Sequence, residues 1–422
     1  MNDGFDIVIG NPPYIQLQND GGKLAKLYAD CNYKTYARTG DIYCLFYERG
    51  YQLLKPNGHL CYITSNKWMR AGYGEKTREF FAKNTNPLLL IDFAGVKIFE
   101  SATVDTNILL FAKAVNEHKT LCAVTNKQNK DSVKNLSVFV QQSGSECEFS
   151  NSDSWVILSP IEQSIKRKIE AVGTPLKDWD INIYRGVLTG YNEAFIISTE
   201  KRDEILANCQ TEDERARTAE LIRPILRGRD IKRYGYNWAN LWLINTHNGI
   251  RGKLERVHIE DYPAIKAHLD QYWDRISKRA DKGDTPYNLR NCAYLEDFSK
   301  QQIVWIELSD EPKFSYAQNV MSVNTVFFLT GEHVLHILGL LNSKLITWYF
   351  KHCIGTTSGV GTNRWLKYTI EQIPIAPINI GIEQLVNQIC SNLDTTIDRK
   401  IDDMVCKQYG LDEEEICFIV NH

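Results

Sequence analysis

The 422-residue sequence lacks the features that mark several specialised classes of protein. No apolar stretch reaches the length of a membrane span, and the N-terminus lacks the charged, then apolar, pattern of a signal peptide. The 11 cysteines are odd in number and scattered, with no Cys-x-x-Cys pair, which argues against a zinc ribbon or a disulfide framework. We therefore expect a cytoplasmic protein with reduced thiols and no membrane partner.

The sequence also lacks an excess of positive charge. Its formal net charge is −3, so any surface for nucleic acid must be local. His333 and His336 are one helical turn apart, but no cysteine or carboxylate pattern accompanies them. We expect an ordinary helix surface there and no metal site.

A rigid loop close to the N-terminus, in "FDIVIGNPPY", is the first feature that points to chemistry. Residues 5–9 form a short apolar run that predicts a strand buried on both faces. Two consecutive prolines, Pro12 and Pro13, then fix two φ angles and remove two backbone donors. Rigid polar loops at the ends of buried strands are where α/β folds place their reactive groups.

The residues of this loop suit a reaction at a planar amine. Asn11 supplies a side-chain carbonyl, and Pro12 supplies a backbone carbonyl that Pro13 holds still. Two such acceptors can take the hydrogens of an exocyclic amino group and draw its nitrogen toward tetrahedral geometry. Tyr14 offers an aromatic face to a base that has left its duplex. The structural alternative is a proline-rich turn in which the tyrosine is simply packed.

The first 116 residues or so alternate between strands and helices. A helix is predicted from Asp41, a plausible N-cap, to the turn at residues 55–58, and a second helix over residues 75–83. Strands are predicted at "HLCYIT", "PLLLIDF" and "TVDTNILLFAK". This order predicts an α/β sheet that ends in a hairpin.

These segments resemble, in order, the motifs of a known enzyme family. Residues 5–14 resemble motif IV of amino-group methyltransferases that use S-adenosylmethionine. "DIYCLFYERGYQLLKPNGHLCYITSNKW" resembles motifs V and VI, "GEKTREFF" motif VII, and "IDFAGVKIFESATVDTNILLFAK" motif VIII. Together the blocks are similar to the gamma class of adenine-N6 DNA methyltransferases, most of all to the type IIG restriction–modification branch and its stand-alone type II relatives.

The resemblance implies roles for single residues. Asn11, Pro12, Pro13 and Tyr14 would form the catalytic loop, with Tyr14 stacked on the flipped adenine. An aromatic of motif VIII would cover the other side of the base, which places Phe99 there, with Phe93 as second choice. In motif V, Phe46 would lie beside the adenine of the cofactor, with Asp41 at the start of the same helix. For each phenylalanine, ordinary core packing is the alternative.

The second half resembles the target-recognition domain of the same branch. "DINIYRGVLTGYNEAFII" and "LIRPILRGRDIKRYGY" look like its beginning, and "GTTSGVGTNRWLKYTIEQIPIAPI" like its closing segment. Arginine suits phosphate contacts and the reading of guanine, although basic runs are also common on solvated faces. The candidate DNA-binding residues fall in three groups: Arg223, Arg227, Arg229, Lys232 and Arg233; Arg275, Lys278, Arg279, Lys282 and Arg290; and Arg364, Trp365 and Lys367 in a loop with Gly355, Gly359 and Gly361.

The expected architecture is an α/β fold with a partial, Rossmann-like methyltransferase sheet, a mixed α+β target-recognition domain and C-terminal helices. The expected boundaries are 1–116 for the catalytic half, 117–155 for a linker or peripheral strands, 156–378 for the recognition domain and 379–422 for the helices. In the family, the main cofactor-binding features precede the Asn-Pro-Pro-Tyr strand, and only four residues precede it here. We therefore expect the C-terminal part of a larger enzyme, with a bare strand at the sheet edge and weak or no binding of S-adenosylmethionine on its own.

The expected function is sequence-specific transfer of a methyl group from S-adenosylmethionine to adenine N6 in double-stranded DNA, without a metal. The expected partners are DNA and the missing N-terminal region, which could include a nuclease. A non-catalytic DNA-binding specificity module, and a methyltransferase acting on RNA or on protein glutamine, remain alternatives. A measurement of methyl transfer alongside DNA binding separates them.

Overall fold

The computed structural model describes residues 4–93, 96, 98–99, 105–125, 134–354, 356–357 and 363–421. The chain divides into two compact units. The first unit comprises residues 1–166 with 352–356, and the second comprises residues 167–351 with 357–422. Each unit has a sheet system and a hydrophobic core of its own.

The elements of the first unit alternate largely as the sequence predicts. Its strands are β1 (Phe5–Gly10), β2 (Leu54–Ser65), β3 (Asn86–Asp92), β4 (Thr106–Ala112), β5 (Thr120–Val124) and β6 (Ser145–Cys147). Its helices are α1 (Asn19–Ala29), α2 (Ile42–Leu53), α3 (Glu75–Asn84) and α4 (Leu136–Ser143), and α5 (Pro160–Val172) continues into the second unit.

These strands form one mixed sheet in the order β1-β2-β4-β3-β5-β6. The pairs β1–β2 and β3–β5 are parallel, whereas β4 is antiparallel to both β2 and β3. The predicted final hairpin is therefore present as β3 and β4. Because β1, β2 and β3 run in the same direction, their carboxyl ends, at Gly10, Ser65 and Asp92, meet at one edge of the sheet.

Helix α2 packs directly on β2 because Gly50 lets the two backbones approach closely. A Cβ atom at Gly50 would lie 2.4 Å from Cδ1 of Leu60 and 2.7 Å from the hydroxyl of Tyr62. An aromatic cluster fills the space between this helix and the sheet, with ring-centroid distances of 5.0 Å for Tyr47–Phe81 and 5.1 Å for Trp68–Phe81. The packing fixes the start of α2 relative to the carboxyl edge of the sheet.

The second unit is built around two four-stranded sheets. Its strands are β7 (Thr174–Pro175), β8 (Ile181–Arg185), β9 (Ile196–Ser198), β10 (Ile222–Leu226), β11 (Leu241–Ile244), β12 (Gln301–Ile306), β13 (Ser315–Gln318), β14 (Met321–Ser322) and β15 (Val326–Gly331), followed by the short β17 (Asn363–Arg364) and β18 (Pro374–Ile375). The two-residue strand β16 (Thr356–Thr357) has one residue in each unit. The sheets have the orders β14-β10-β11-β9 and β13-β12-β15-β8. Their facing residues share one core.

The helices of this unit lie between the strands and at the C-terminus. They are α6 (Asn192–Phe195), α7 (Thr199–Ala207), α8 (Glu212–Leu221), α9 (Pro263–Asp270), α10 (Trp273–Ile276), α11 (Val334–Asn342), α12 (Lys344–Tyr349), α13 (Lys367–Ile370), α14 (Ile380–Ser391), α15 (Thr395–Gln408) and α16 (Glu413–Asn421). The last three are the helices expected at the C-terminus. No helix in the described ranges is long and apolar enough to cross a membrane.

Two local predictions are wrong. The strand at residues 5–9 is not buried on both faces: β1 is an edge strand that pairs with β2 alone, and Phe5, Ile7 and Ile9 are 58%, 68% and 77% exposed. His336 is not on a helix surface but fully buried, with Nε2 3.0 Å from the carbonyl oxygen of Ala376. In both cases tertiary neighbours, which local pattern does not encode, decide the burial.

Candidate functional site

The Asn-Pro-Pro-Tyr loop leaves β1 at the edge of the sheet where β2 and β3 also end. Pro12 is buried, which holds the loop against the unit, whereas Asn11 and Pro13 are exposed. The side chain of Asn11 makes no hydrogen bond within the described part of the chain. Its carbonyl oxygen is therefore available to a ligand.

Hydrogen bonds anchor the chain after the loop to the beginning of α2. The amide of Ile15 donates to Oδ1 of Asp41 at 2.8 Å, and the amide of Ile42 donates to the carbonyl of Ile15 at 2.9 Å. Leu17, which is buried, donates from its amide to the carbonyl of Gly40 at 2.9 Å. The loop is thus held at both ends, by β1 and by α2.

Asp41 stands at the N-cap position, as predicted, but its side chain does not cap the helix. Its carboxylate instead accepts the hydrogen bond from Ile15. Burial raises the pKa of this carboxyl, and the backbone donor of Ile15 and the charge of Lys67 act against that rise. Asp41 therefore fixes the loop, and its role toward a cofactor stays a prediction.

The side chain of Tyr14 is half-buried and packs against neighbouring residues of the first unit. Its ring meets that of Tyr43 edge to face at 6.1 Å, and its hydroxyl donates to the carbonyl of Ile63 at 3.4 Å. Burial, together with the charge of Asp41, raises the pKa of the Tyr14 phenol, so the ring stays neutral. A neutral aromatic ring in a fixed orientation is suited to stacking against a base.

A buried network of polar side chains lies beside the loop at the carboxyl edge. Oδ1 of Asn107 accepts from the hydroxyl of Thr64 at 3.0 Å and from the indole of Trp68 at 3.2 Å. At the neighbouring strand end, Nδ2 of Asn66 donates to Oδ1 of Asp92 at 2.8 Å. The residue types alone do not mark these side chains as part of a site. Asn66, however, directly follows the end of β2, as Asn11 follows the end of β1, and this position in the sequence could have identified it as a residue of the carboxyl edge.

The three phenylalanines assigned from the resemblance differ in exposure. Phe46 is 39% exposed while Tyr43, Leu45 and Tyr47 on the same helix are buried, so Phe46 is not a core residue. Phe93 is only 2% exposed and packs with Ile91, Ala123 and Phe139. This ring belongs to the core, and its role at the far side of the base stays a prediction. Phe99 is partly exposed and stays a prediction.

Several of the candidate DNA-binding residues hold the second unit together instead. Arg279 is buried and donates to the carbonyls of Thr189, Asp281, Pro286 and Asn288. Trp365 is also buried, and its indole donates to the carbonyl of Ser309 at 2.8 Å. Both side chains are packed inside the unit, which speaks against direct contact with DNA, and their assignment stays a prediction.

Two further arginines are occupied by carboxylates. Nη2 of Arg233 pairs with Oδ1 of Asp398 at 2.7 Å, which ties the segment after β10 to α15. Arg227 clasps Asp230, with Nη2 2.8 Å from Oδ1. Arg233 has a structural role in its ion pair with Asp398, and its contact with DNA stays a prediction. The side chain of Arg227 is about three-quarters buried, and its charge is balanced by the carboxylate of Asp230.

The remaining candidates for DNA binding lie at the surface and make fewer hydrogen bonds and ion pairs. Arg229 and Arg275 are exposed, and no ion pair involves either within the described ranges. Lys232 is exposed and reaches the carbonyl of Arg229 at 3.3 Å. Three others keep partial contacts, Arg223 with Asn319 at 2.7 Å, Arg364 with Glu307 at 2.6 Å and Lys367 with the carbonyl of Ile183 at 3.1 Å. Gly355, Gly359 and Gly361 lie outside the described residues.

Comparison with known proteins places two segments of the chain in families. Residues 1–99 match the Eco57I restriction-modification methylase family, and residues 223–375 match the TaqI-like C-terminal specificity domain. The chain is therefore similar to a restriction–modification methylase in its first segment and to a specificity domain in its second. This confirms the resemblance found in the sequence.

Individual relatives agree with the two families. The chain is 25% identical over 297 residues to the type II methyltransferase M.BstVI of Geobacillus stearothermophilus, covering 65% of this chain and 49% of that relative. It is 24% identical over 415 residues to M.BanIII of Aneurinibacillus aneurinilyticus, covering 88% and 69%. The type IIL restriction-modification enzyme MmeI, solved in complex with DNA, shares the fold with a TM-score of 0.57 at 13% identity, over 98% of this chain and 56% of that one. The chain thus spans about half the length of M.BstVI.

Proposed function

We propose that this chain takes part in sequence-specific methylation of DNA, in which a methyl group passes from S-adenosylmethionine to N6 of adenine. The observation that carries the proposal is the rigid loop at the carboxyl edge of the sheet. There the exposed side chain of Asn11, beside buried Pro12, has no hydrogen-bond partner among the described residues. The relatives named as type II methyltransferases support it. The TaqI-like specificity segment supports DNA as the substrate.

The chemistry assigned to the loop follows from its polar groups. The side-chain carbonyl of Asn11 and the backbone carbonyl of Pro12 accept the two hydrogens of the amino group and localise its lone pair. The ring of Tyr14, fixed by Tyr43 and Ile63, stacks on the extruded base. Bound S-adenosylmethionine would supply the methyl group, and the amino nitrogen held by Asn11 and Pro12 would accept it and then release a proton to water.

One observation supports a place for the cofactor in this unit. Phe46 keeps 39% of its surface exposed on a helix whose neighbouring side chains are buried. An exposed aromatic ring near the start of α2 fits contact with the adenine of S-adenosylmethionine. Phe46 would hold that ring, and Asp41 would keep the start of α2 joined to the loop.

The test is methyl transfer to duplex DNA in the full-length protein, with N6-methyladenine detected after digestion. We expect Asn11→Ala to lower the rate on the order of a thousandfold or more while DNA affinity stays close to wild type, because the acceptor acts on the reacting nitrogen. The matched control is Asn11→Asp, which keeps a side-chain acceptor and should retain part of the activity. Near-wild-type methylation by Asn11→Ala would contradict the assignment. DNA binding without methylation by the wild-type protein would favour a specificity module.

A further inference from the structure

The second unit contains a polar pocket of about 370 Å³ that none of the assignments above explains. We call it the Asn245 pocket. Its walls come from the end of β8, the residues after β11 and the segment 289–295, with Arg185, Asn245, His247, Arg290, Asn291 and Asn324 as its polar lining. Leu289, Tyr294 and Leu295 supply apolar surface. The volume accommodates a heterocyclic base with part of its sugar, since ligand pockets begin at a few hundred Å³.

The side chain of Asn245 is the reason to expect a ligand. It is only 6% exposed, and its Oδ1 has no hydrogen-bond partner among the described residues. A buried acceptor without a partner costs about 1–3 kcal/mol, so such groups are rare unless a ligand or water satisfies them. Asn245 lines the pocket, so its side-chain amide stands in the wall that a bound ligand would contact.

His247 adds a donor to the same pocket. Its Nδ1 accepts from the amide of Gly249 at 3.3 Å, which leaves Nε2 as the protonated nitrogen of the neutral ring. Burial lowers the pKa of His247, so the ring stays neutral at physiological pH. An acceptor and a donor in one pocket match the hydrogen-bonding edge of a nucleobase.

Two arginines line the pocket, and each is paired with one carboxylate. Nη2 of Arg185 is 2.9 Å from Oε2 of Glu307, and Nη1 of Arg290 is 3.2 Å from Oδ1 of Asp281. Each guanidinium has five N–H donors, so these single contacts leave others for an anion. The arrangement is preorganised because buried Arg279 binds the carbonyls of Thr189 and Asn288, next to the two pocket walls.

The surface beside the pocket is also basic. Asn291 and Cys292 line both this pocket and a neighbouring open groove, whose lining includes Arg251. Arg251 and Lys253 project from a tight turn closed by the amide of Ile250 and the carbonyl of Leu254 at 2.8 Å. Both are exposed, and neither has an ion-pair partner within the described ranges. A polyanion could pass over this turn into the pocket.

From these observations we infer that the Asn245 pocket receives one nucleotide of the DNA substrate, with its phosphate between Arg185 and Arg290 and its base edge on Asn245 and His247. The inference rests on the proposed function, since it takes DNA as the partner. On this inference, the side chain of Asn245 contributes to DNA recognition and does not stabilise the fold.

The test compares DNA binding with stability in the full chain, using a labelled duplex of randomised sequence over a salt series. We expect Asn245→Leu to weaken binding about tenfold, the size of one lost hydrogen bond, with an unchanged salt slope. The midpoint of denaturant unfolding should stay equal or rise, because the unpaired acceptor is gone. The matched control is Thr218→Val, which removes another buried oxygen without a partner, on α8, and should leave DNA binding unchanged.

A second pair of variants tests the phosphate contact. Arg290→Gln should reduce the slope of log K against log salt by about 0.9, as expected for one phosphate, whereas Arg399→Gln on exposed α15 should leave it unchanged. The inference would be overturned if Arg290→Gln and Arg399→Gln gave the same salt slope, or if Asn245→Leu bound DNA as tightly as wild type. Neither result would contradict the proposed function. Failure of the wild-type chain to bind DNA at all would overturn both.

Discussion

Single residues of the same type perform different tasks in this chain. Arg279 has no free surface and donates to four backbone carbonyls, whereas Arg229 is exposed without an ion pair in the described ranges. Both stand in basic clusters of the sequence and look alike there. Burial and partners, not residue type, separate a structural arginine from one that can meet phosphate.

Replacement of Arg279 should therefore act on stability. Arg279→Met keeps much of the side-chain volume but leaves buried carbonyls without donors, and we expect a loss of about 3 kcal/mol in the free energy of unfolding. Denaturant unfolding monitored by tryptophan fluorescence measures this. An unfolding free energy within experimental error of wild type would show that the four hydrogen bonds contribute nothing net.

Replacement of Arg229 should act on DNA binding instead. Arg229→Gln is expected to leave unfolding unchanged and to lower the salt slope of DNA binding by about 0.9, because one phosphate contact is lost. Its neighbour Arg227 is the informative contrast: charge reversal there repels Asp230, which it now clasps, and should lower stability as well as binding. If Arg229→Gln keeps the wild-type slope, this arginine faces solvent only.

At the scale of elements, strand and helix order follows from the sequence more reliably than burial does. The apolar period and the turn residues predict α2, α3, β3 and β4 because each depends on local pattern. The exposure of β1 could not be predicted in this way, since it depends on which strands pair with it. The same holds for Phe93, whose burial depends on Phe139 in a later helix.

The loop at Asn11 could be predicted because proline, asparagine and a preceding strand coincide within ten residues. Asn245 and His247 also follow a strand, β11, but without prolines to mark the loop. Their pocket is completed by residues 40 or more positions away, such as Leu289 and Asn324. When a site is assembled from segments that are far apart in the sequence, no single segment contains a pattern that identifies it.

The junction of α12 and α15 gives a prediction about pH. Asp402 accepts from the amide of Lys344 at 2.8 Å, and burial raises the pKa of its carboxyl to about 6. Because the folded pKa lies above the unfolded value, the folded state binds more protons between about pH 4 and 6. Stability from this group is therefore present at low pH and is lost as pH rises toward 6.

Asp402→Asn should remove that dependence. The amide oxygen can still accept from Lys344 but never carries charge, so we expect unfolding at pH 7.5 to cost roughly 2 kcal/mol more than in wild type. Near pH 4.5 the two proteins should differ much less. Denaturant curves at both pH values give the comparison. A variant whose stability differs from that of wild type by the same amount at both pH values would show that the pKa of Asp402 is not raised in the folded protein.

At the scale of the whole molecule, the proposed chemistry and the proposed DNA contacts lie in different units. Asn11 belongs to the first unit, and Asn245, Arg229 and Arg290 belong to the second. The net charge of −3 agrees with recognition confined to local basic surfaces.

Because these residues belong to different units, we expect the effects of substitutions in the loop and in the recognition surface on DNA affinity to be additive. In the full-length protein, the loss of affinity caused by Arg290→Gln should be the same whether or not Asn11→Ala is present, since substitutions at sites without shared partners are additive within about 0.5 kcal/mol. A double-mutant cycle on duplex binding measures this. A coupling well above that limit would show that the loop and the recognition surface act as one site.

The edge strand β1 has a consequence for the behaviour of the chain in solution. Phe5, Ile7 and Ile9 alternate along it, so one exposed face carries three large apolar side chains beside a row of backbone groups that pair with no strand in the described ranges. Such an edge is a template for intermolecular strand pairing. Colloidal stability should therefore depend steeply on protein concentration, and Ile7→Lys, which places a charge on that edge, should raise the concentration at which the chain begins to self-associate.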